Sequence, residues 1–208
     1  ASEKEPFEVY AGDFDDNGTN DIVLGYYNDG TCYPVRGRQC SAEQMPMILE
    51  KFESYEKFGE SDIQQVYGEK LKEGLHLKAR NFASSILWNK GDGGFQLEAL
   101  PRRAQFSPIN GILADDFDGN GTMDLLVAGN LFHAEVETGR ADAGIGLLLL
   151  ADSSGNFQCM SKQQSGFYAP LDVKDLAVLS SGPEKPKIVL VANNDFGMQA
   201  FVETSLSK

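Results

Sequence analysis

Apolar residues along this chain fall in short runs rather than long helical stripes. "FEVYAG", "DIVLGYY", "SSILWN", "FQLEAL", "DLLVAGN" and "IVLVAN" are each bounded by Gly, Asp, Asn or Pro, the pattern of strands joined by turns. It predicts strands at about residues 7–12, 21–27, 83–89 and 94–100. A second set falls at about 109–115, 124–131, 145–151 and 156–160, and a third at about 172–179, 187–193 and 197–203. Residues 33 to about 80 break the pattern. There Met45, Ile48, Leu49, Phe52 and Tyr55 recur at helical spacing, preceded by Ser41 and Gln44 at capping-box spacing and followed by Gly59. "SDIQQVYGEKLKEGLHL" repeats the device with Ser61 and Gln64. Two or three helices are expected here, packed on an edge or face of the strands.

The strand sets echo one another. "SSILWNKGDGGFQL" (84–97) matches "GLLLLADSSGNFQC" (146–159) at an offset of 62, and "IVLVANN" (188–194) matches "DLLVAGN" (124–130) at an offset of 64. A unit of about 60 residues with about four short strands has the size of a propeller blade. The expected fold is mostly β: a partial β-propeller of about three four-stranded antiparallel blades, with a helical insertion in the first. Blade one takes 1–32 plus 81–105, the insertion 33–80, blade two 106–165 and an incomplete blade three 166–208.

Within this frame one acidic nonapeptide is written twice. "DFDDNGTND" (13–21) and "DFDGNGTMD" (116–124) differ only at their fourth and eighth positions. Their spacing of 103 exceeds the repeat offset by 41, which is what locates the insertion in the first unit. Each copy puts oxygen-bearing side chains at positions one, three, five and nine, with glycine at six where a tight loop must turn sharply. The expected ligands are Asp13, Asp15, Asn17, the Thr19 carbonyl and Asp21 at site one. At site two they are Asp116, Asp118, Asn120, the Thr122 carbonyl and Asp124. An EF-hand would place Glu at position twelve and continue as a helix. Here position twelve is Leu24 or Val127, inside an apolar run suited to a strand. The loops therefore read as calcium sites that lead into strands, with affinities of about 10⁻⁴–10⁻³ M. A metal-free Asx-rich turn would leave the clustered carboxylates repelling one another. Asp16, opposite Gly119, is an extra acid expected to hold water or face solvent. "SSGPEKPK" in the third unit has no such ladder, so no third site is expected.

Charge narrows the partners. The net charge of -13 opposes binding to nucleic acid or to anionic membranes and favours cations. No run approaches a membrane span. The start at Ala1 without Met reads as a mature or trimmed form. Cys32 and Cys40 bracket a short loop, and bridged and free thiols are both open. Cys159 has no obvious partner. His76 and His133 lack companions at metal spacing. Trp88 reads as a core or edge aromatic before a sugar-stacking platform, and Tyr26, Tyr27 and Tyr33 as packing before a recognition patch. Glu137 and Arg140, in the polar loop "VETGRADAG", are candidate ligand contacts. No nucleophile elbow, phosphate loop or dinucleotide fingerprint is present, and no catalytic residues are assigned.

"GDFDDNGTNDIVLGY", "DDFDGNGTMDLLVAGN" and "ILWNKGDGGF" together resemble the FG-GAP or VCBS-type repeat of integrin α-subunit propellers and bacterial surface proteins. From about residue 82 to 203 the chain is also similar to the last blades of large Bacteroidetes VCBS-repeat proteins, some with an ASPIC/UnbV segment. The resemblance implies a propeller with Ca²⁺ between the first two strands of a blade. It also implies a non-catalytic role in adhesion or in recognition of a protein or glycan, at the cell surface, outside the cell or in the periplasm. About 2.7 blades are written where a propeller needs about four to eight. The remaining blades are therefore expected from a longer chain or from a second copy. A carbohydrate-binding propeller is the alternative function. A lyase or hydrolase on this scaffold would need an acid–base pair that no motif places.

Overall fold

The computed structural model describes residues 1–135, 138–180, 182, 186–202 and 204. Strand exceeds helix by about two to one, at 36% against 17%, so the chain is mostly β. It divides into two units, Ala1–Phe82 and Ala83–Lys208.

The first unit is one antiparallel sheet with helices on one face. Strands β1 (Phe7–Gly12) and β2 (Asp21–Asn28) form where the alternating pattern predicts them. The other two strands lie at the two ends of the region read as helical: β3 (Thr31–Pro34) straddles its start and pairs with β2, and β4 (Leu75–Ala79) pairs with β1. The sheet order is β3-β2-β1-β4. This corrects the expected pairing, in which strands at 83–89 and 94–100 lay beside β1 and β2. The reversal at Asp29 and Gly30, both at positive φ, makes β2–β3 a tight local hairpin, which forms without waiting for a distant segment.

The helical stretch is more broken than its spacing predicts. Pro46, which has no N–H, stops α1 (Arg38–Gln44) and opens α2 (Met47–Lys51). Helices α3 (Tyr55–Gly59) and α4 (Ile63–Tyr67) follow, then a 3-10 turn at Glu69–Lys72. Ser41 sits inside α1 and is not its cap. The second capping box forms one residue later than expected, between Asp62 and Gln65. Met45, Ile48 and Phe52 are buried, whereas Leu49 and Tyr55 are exposed because the breaks rotate them off the core. The core joins these helices to Tyr10, Phe14 and Val23 on the sheet side. Glu8 is buried on the same sheet and is held by His76, Lys78 and the Tyr27 hydroxyl. Cys32, Cys40 and Cys159 form no disulfide. Cys32 packs against the core, where burial and then the Glu8 charge push its thiol up to about 11.

The second unit holds three antiparallel sheets. Strands β5 (Ser85–Asn89) and β6 (Phe95–Ala99) form a hairpin of their own. Strands β7 (Gly111–Asp115), β8 (Asp124–Ala128), β9 (Leu147–Ala151) and β10 (Phe157–Cys159) form a meander in chain order. Strands β11 (Val173–Leu179), β12 (Ile188–Asn193) and β13 (Gln199–Val202) form the third sheet. A short helix, α5 (Lys162–Ser165), links the last two sheets, with a capping box from Ser161 to Gln164. Leu126, Ala128 and Leu148 of the meander bury against Val173, Leu176, Val189 and Val191 of the third sheet.

Asp172, fully buried just before β11, ties the third sheet to its neighbouring loops. Its carboxylate accepts from Lys174 Nζ at 2.7 Å and Asn194 Nδ2 at 3.3 Å, with His133 Nδ1 at 3.6 Å. Burial alone would raise this carboxyl. The Lys174 and Asn194 hydrogen bonds, the Lys174 charge and the Phe132 amide outweigh burial and hold it below its ordinary value. A lowered folded value means the stabilisation is present above the ordinary carboxylate range and is lost as pH falls through the folded value, below about pH 4. Lys174→Met is expected to move acid unfolding of this unit to higher pH, measured by circular dichroism across an acid titration.

Candidate metal centres

Each acidic nonapeptide is the connection between two paired strands, β1 to β2 in the first unit and β7 to β8 in the second. The loop geometry follows from the residues. Gly18 and Gly121 both adopt φ of 84°, a left-handed turn that glycine takes without strain. Asp13 accepts from the amides of Asn17 and Gly18 at 2.9 Å, and Asp116 accepts from those of Asn120 and Gly121 at 3.0 and 2.8 Å. Asn17 and Asn120 each take the following threonine amide at 2.7 Å. The last aspartate folds back over the loop: Asp21 accepts from Phe14 N–H at 3.0 Å, and Asp124 from Phe117 N–H at 2.9 Å.

These folds bring Asp13, Asp15 and Asp21 together, and likewise Asp116, Asp118 and Asp124. In each triad one carboxylate oxygen per residue lies within 4.8 Å of the others. Each triad can hold a metal ion. One member of each is buried, Asp21 or Asp124. Burial, opposed by the Phe14 amide and reinforced by Asp15 and Asp13, raises the Asp21 carboxyl above its ordinary value. A bound cation would relieve that crowding of negative charge. All-oxygen donors suit a hard cation such as Ca²⁺ or Mg²⁺. Of the predicted ligand sets, the three aspartates of each copy converge. The Asn17 and Asn120 side-chain oxygens accept the Thr19 and Thr122 amides, in Asx turns.

The two copies are buttressed differently. At site two Asp124 Oδ1 also accepts the Ala151 amide at 2.7 Å. The Ala151 carbonyl takes Asn120 Nδ2 at 3.0 Å and Thr122 Oγ1 at 2.7 Å. Strand β9 is thus clamped to the loop. At site one Asp16 neither joins the triad nor merely faces solvent; it pairs with Lys70 of the 3-10 turn. It takes a positive φ of 61° where site two has Gly119 at 75°. Sequence reasoning missed Phe14 and Phe117. Their rings anchor the loops in the two cores while their amides cap the last aspartate, and the signal was their identity at position two of both copies.

Other candidates have structural partners. His76 stacks on Tyr10 and bonds Glu8. Tyr26 lies beside Tyr33, and Tyr27 bonds Glu8. Arg140 pairs with Asp142 and lies over Phe132. Glu137 lies outside the described residues. No helix among the described residues is long and apolar enough to cross a membrane. Comparison with protein-family models, with curated proteins and with solved structures finds no match for this chain.

Proposed function

We propose that the chain is a non-catalytic, two-site calcium module of the FG-GAP/VCBS type, whose sheets are blades of a propeller. It would serve recognition of a protein or glycan at the cell surface, outside the cell or in the periplasm. The observation that carries the reading is the duplication: two Asp triads in the same register of the same loop, each joining two paired strands. Packing in the second unit also supports blades. A Cβ on Gly111 of β7 would meet the Leu176 amide of β11 at 2.8 Å, so the first strands of successive sheets approach backbone to backbone. Among the described residues the third sheet has three strands, which leaves an edge for further chain or a second copy to cover.

Calcium would lock each loop by satisfying carboxylates that otherwise repel. Its stabilising effect grows with concentration and reaches about 2.7 kcal/mol per site at one hundred times Kd. Calorimetry is expected to count two Ca²⁺ per chain, and Asp13→Ala and Asp116→Ala to remove one each. Chelation is expected to lower Tm and added calcium to restore it. An unchanged melting transition with no heat of binding would sink the reading.

A further inference from the structure

The hairpin β5–β6 carries a departure from the repeat that packing does not explain. At the offset of 62, Ile86, Trp88, Gln96 and Glu98 correspond to Leu148, Leu150, Gln158 and Met160. Cross-strand register agrees, since Trp88 faces Gln96 as Leu150 faces Gln158. In the second copy Leu150 and Met160 pack against the hydrophobic core. In the first copy the same diagonal pair is an indole and a carboxylate, and Trp88 Nε1–H donates to Glu98 Oε2 at 3.0 Å. A repeat position that is apolar filler in one copy is a fixed aromatic–acid pair in the other.

That pair lines a cleft between the β5–β6 hairpin and the turn that joins β9 to β10. Its walls are Ile86, Trp88, Glu98, Pro101, Asn156 and Phe157, and it encloses about 190 Å³. The backbone of the neighbouring turn comes close to the indole, because a Cβ on Gly155 would lie 3.9 Å from Trp88. Trp88 is half-buried and Glu98 exposed. Among the described residues Glu98 Oε1 and Asn156 Oδ1 accept no hydrogen bond. The cleft is smaller than the roughly 300–1,000 Å³ that encloses a drug-sized ligand, so it suits one ring lying in an open groove.

We propose that this cleft is a subsite for a neutral pyranose of a glycan, with the sugar's C–H face against Trp88 and adjacent hydroxyls donating to Glu98 and Asn156. An indole supplies a flat apolar surface with a negative face, which matches the slightly positive C–H face of a sugar. A carboxylate accepts two hydroxyls at once. Glu98, the nearby Asp152 and the net charge of -13 oppose an anionic ligand. A quaternary ammonium would call for a cage of several rings. Among the described residues, Trp88 and the half-buried Phe157 are the only aromatics on the wall. The proposal names a ligand class for the recognition role, but it uses none of the metal-site residues.

Trp88 is the chain's only tryptophan, so its fluorescence reports the cleft directly. Methyl glycosides of the common neutral hexoses, pentoses and N-acetylhexosamines are titrated into the full chain, with and without calcium. At least one is expected to change the emission saturably in the millimolar range, with nuclear Overhauser contacts from sugar protons to the indole. Glu98→Gln is expected to weaken that ligand by about tenfold, with Tm unchanged because Glu98 is exposed. A response that persists under chelation supports the subsite even if the calcium reading fails. The proposal is overturned if no saccharide perturbs Trp88 or if Glu98→Gln binds equally well.

Discussion

Asp124→Ala is expected to cost the second unit about 2–6 kcal/mol, read as a lowered urea midpoint in calcium-free buffer. Asp124 is fully buried and its two oxygens accept the amides of Phe117 and Ala151 at 2.9 and 2.7 Å. Alanine leaves the Ala151 donor buried and the Phe117 donor half-buried without partners, at about 1–3 kcal/mol each. It also unties the β7–β8 loop from β9. Working without calcium separates this cost from loss of the ion. Asp21→Ala supplies the internal control, because among the described residues Asp21 accepts only the Phe14 amide, and its removal is expected to cost about 1–3 kcal/mol. Equal costs at the two positions would show that the Ala151 amide finds another partner, and would refute the difference in buttressing.

Gly129→Ala is expected to be at least as severe, with loss of the cooperative transition of the second unit or a cost above about 4 kcal/mol. A Cβ there would meet the Pro108 carbonyl oxygen at 1.9 Å, its carbon at 2.7 Å and the Asn110 amide at 2.9 Å. All three are backbone atoms, so no rotamer change relieves the overlap. The close approach is held by Asn110 N–H donating to the Ala128 carbonyl at 3.0 Å. The next residue, buried Asn130, donates to the carbonyls of Gly144, Pro170 and Leu171 and accepts the Gly144 amide. Moving the chain at Gly129 would therefore disturb four segments. Gly139→Ala, with nothing within 4 Å of its Cβ, is expected to leave the midpoint unchanged. A tolerated Gly129→Ala would mean that the Pro108 segment moves aside.

Both positions belong to the stretch 116–130, where the sequence was most legible. The acidic loop announced its three aspartates through residue type and spacing, and the apolar run after it announced β8. Alternation within a strand and glycine at a required turn are local properties, so they show in a single copy and repeat in the second. The helical segment was legible only as a tendency. Met45, Ile48 and Phe52 do line the core. Helical spacing alone, however, overlooked that Pro46 would divide the segment into short pieces facing different ways.

Pairing was the harder matter. The repeat offset correctly marked β5 and β6 as a hairpin, but it carried no information on what would lie beside β1 and β2. Strands β3 and β4 took those places, one through a tight turn at Asp29 and Gly30 and the other after the whole helical segment. The two uses of a fourth position, Asp16 bound to Lys70 and Gly119 unconstrained by any ion pair, were likewise invisible. Lys70 lies 54 residues away, and nothing in the loop refers to it.

By itself the sequence determined the strand-rich class, the twofold acidic loop and the carboxylates in each, because backbone preference and ligand type are written residue by residue. The tertiary structure alone decided which strands share a sheet and which amides bury against Asp21 and Asp124. It also decided that Trp88 and Glu98 face a cleft while their counterparts Leu150 and Met160 face a core. Those outcomes depend on which distant surfaces meet when apolar area is buried, and that is settled only when the whole chain packs.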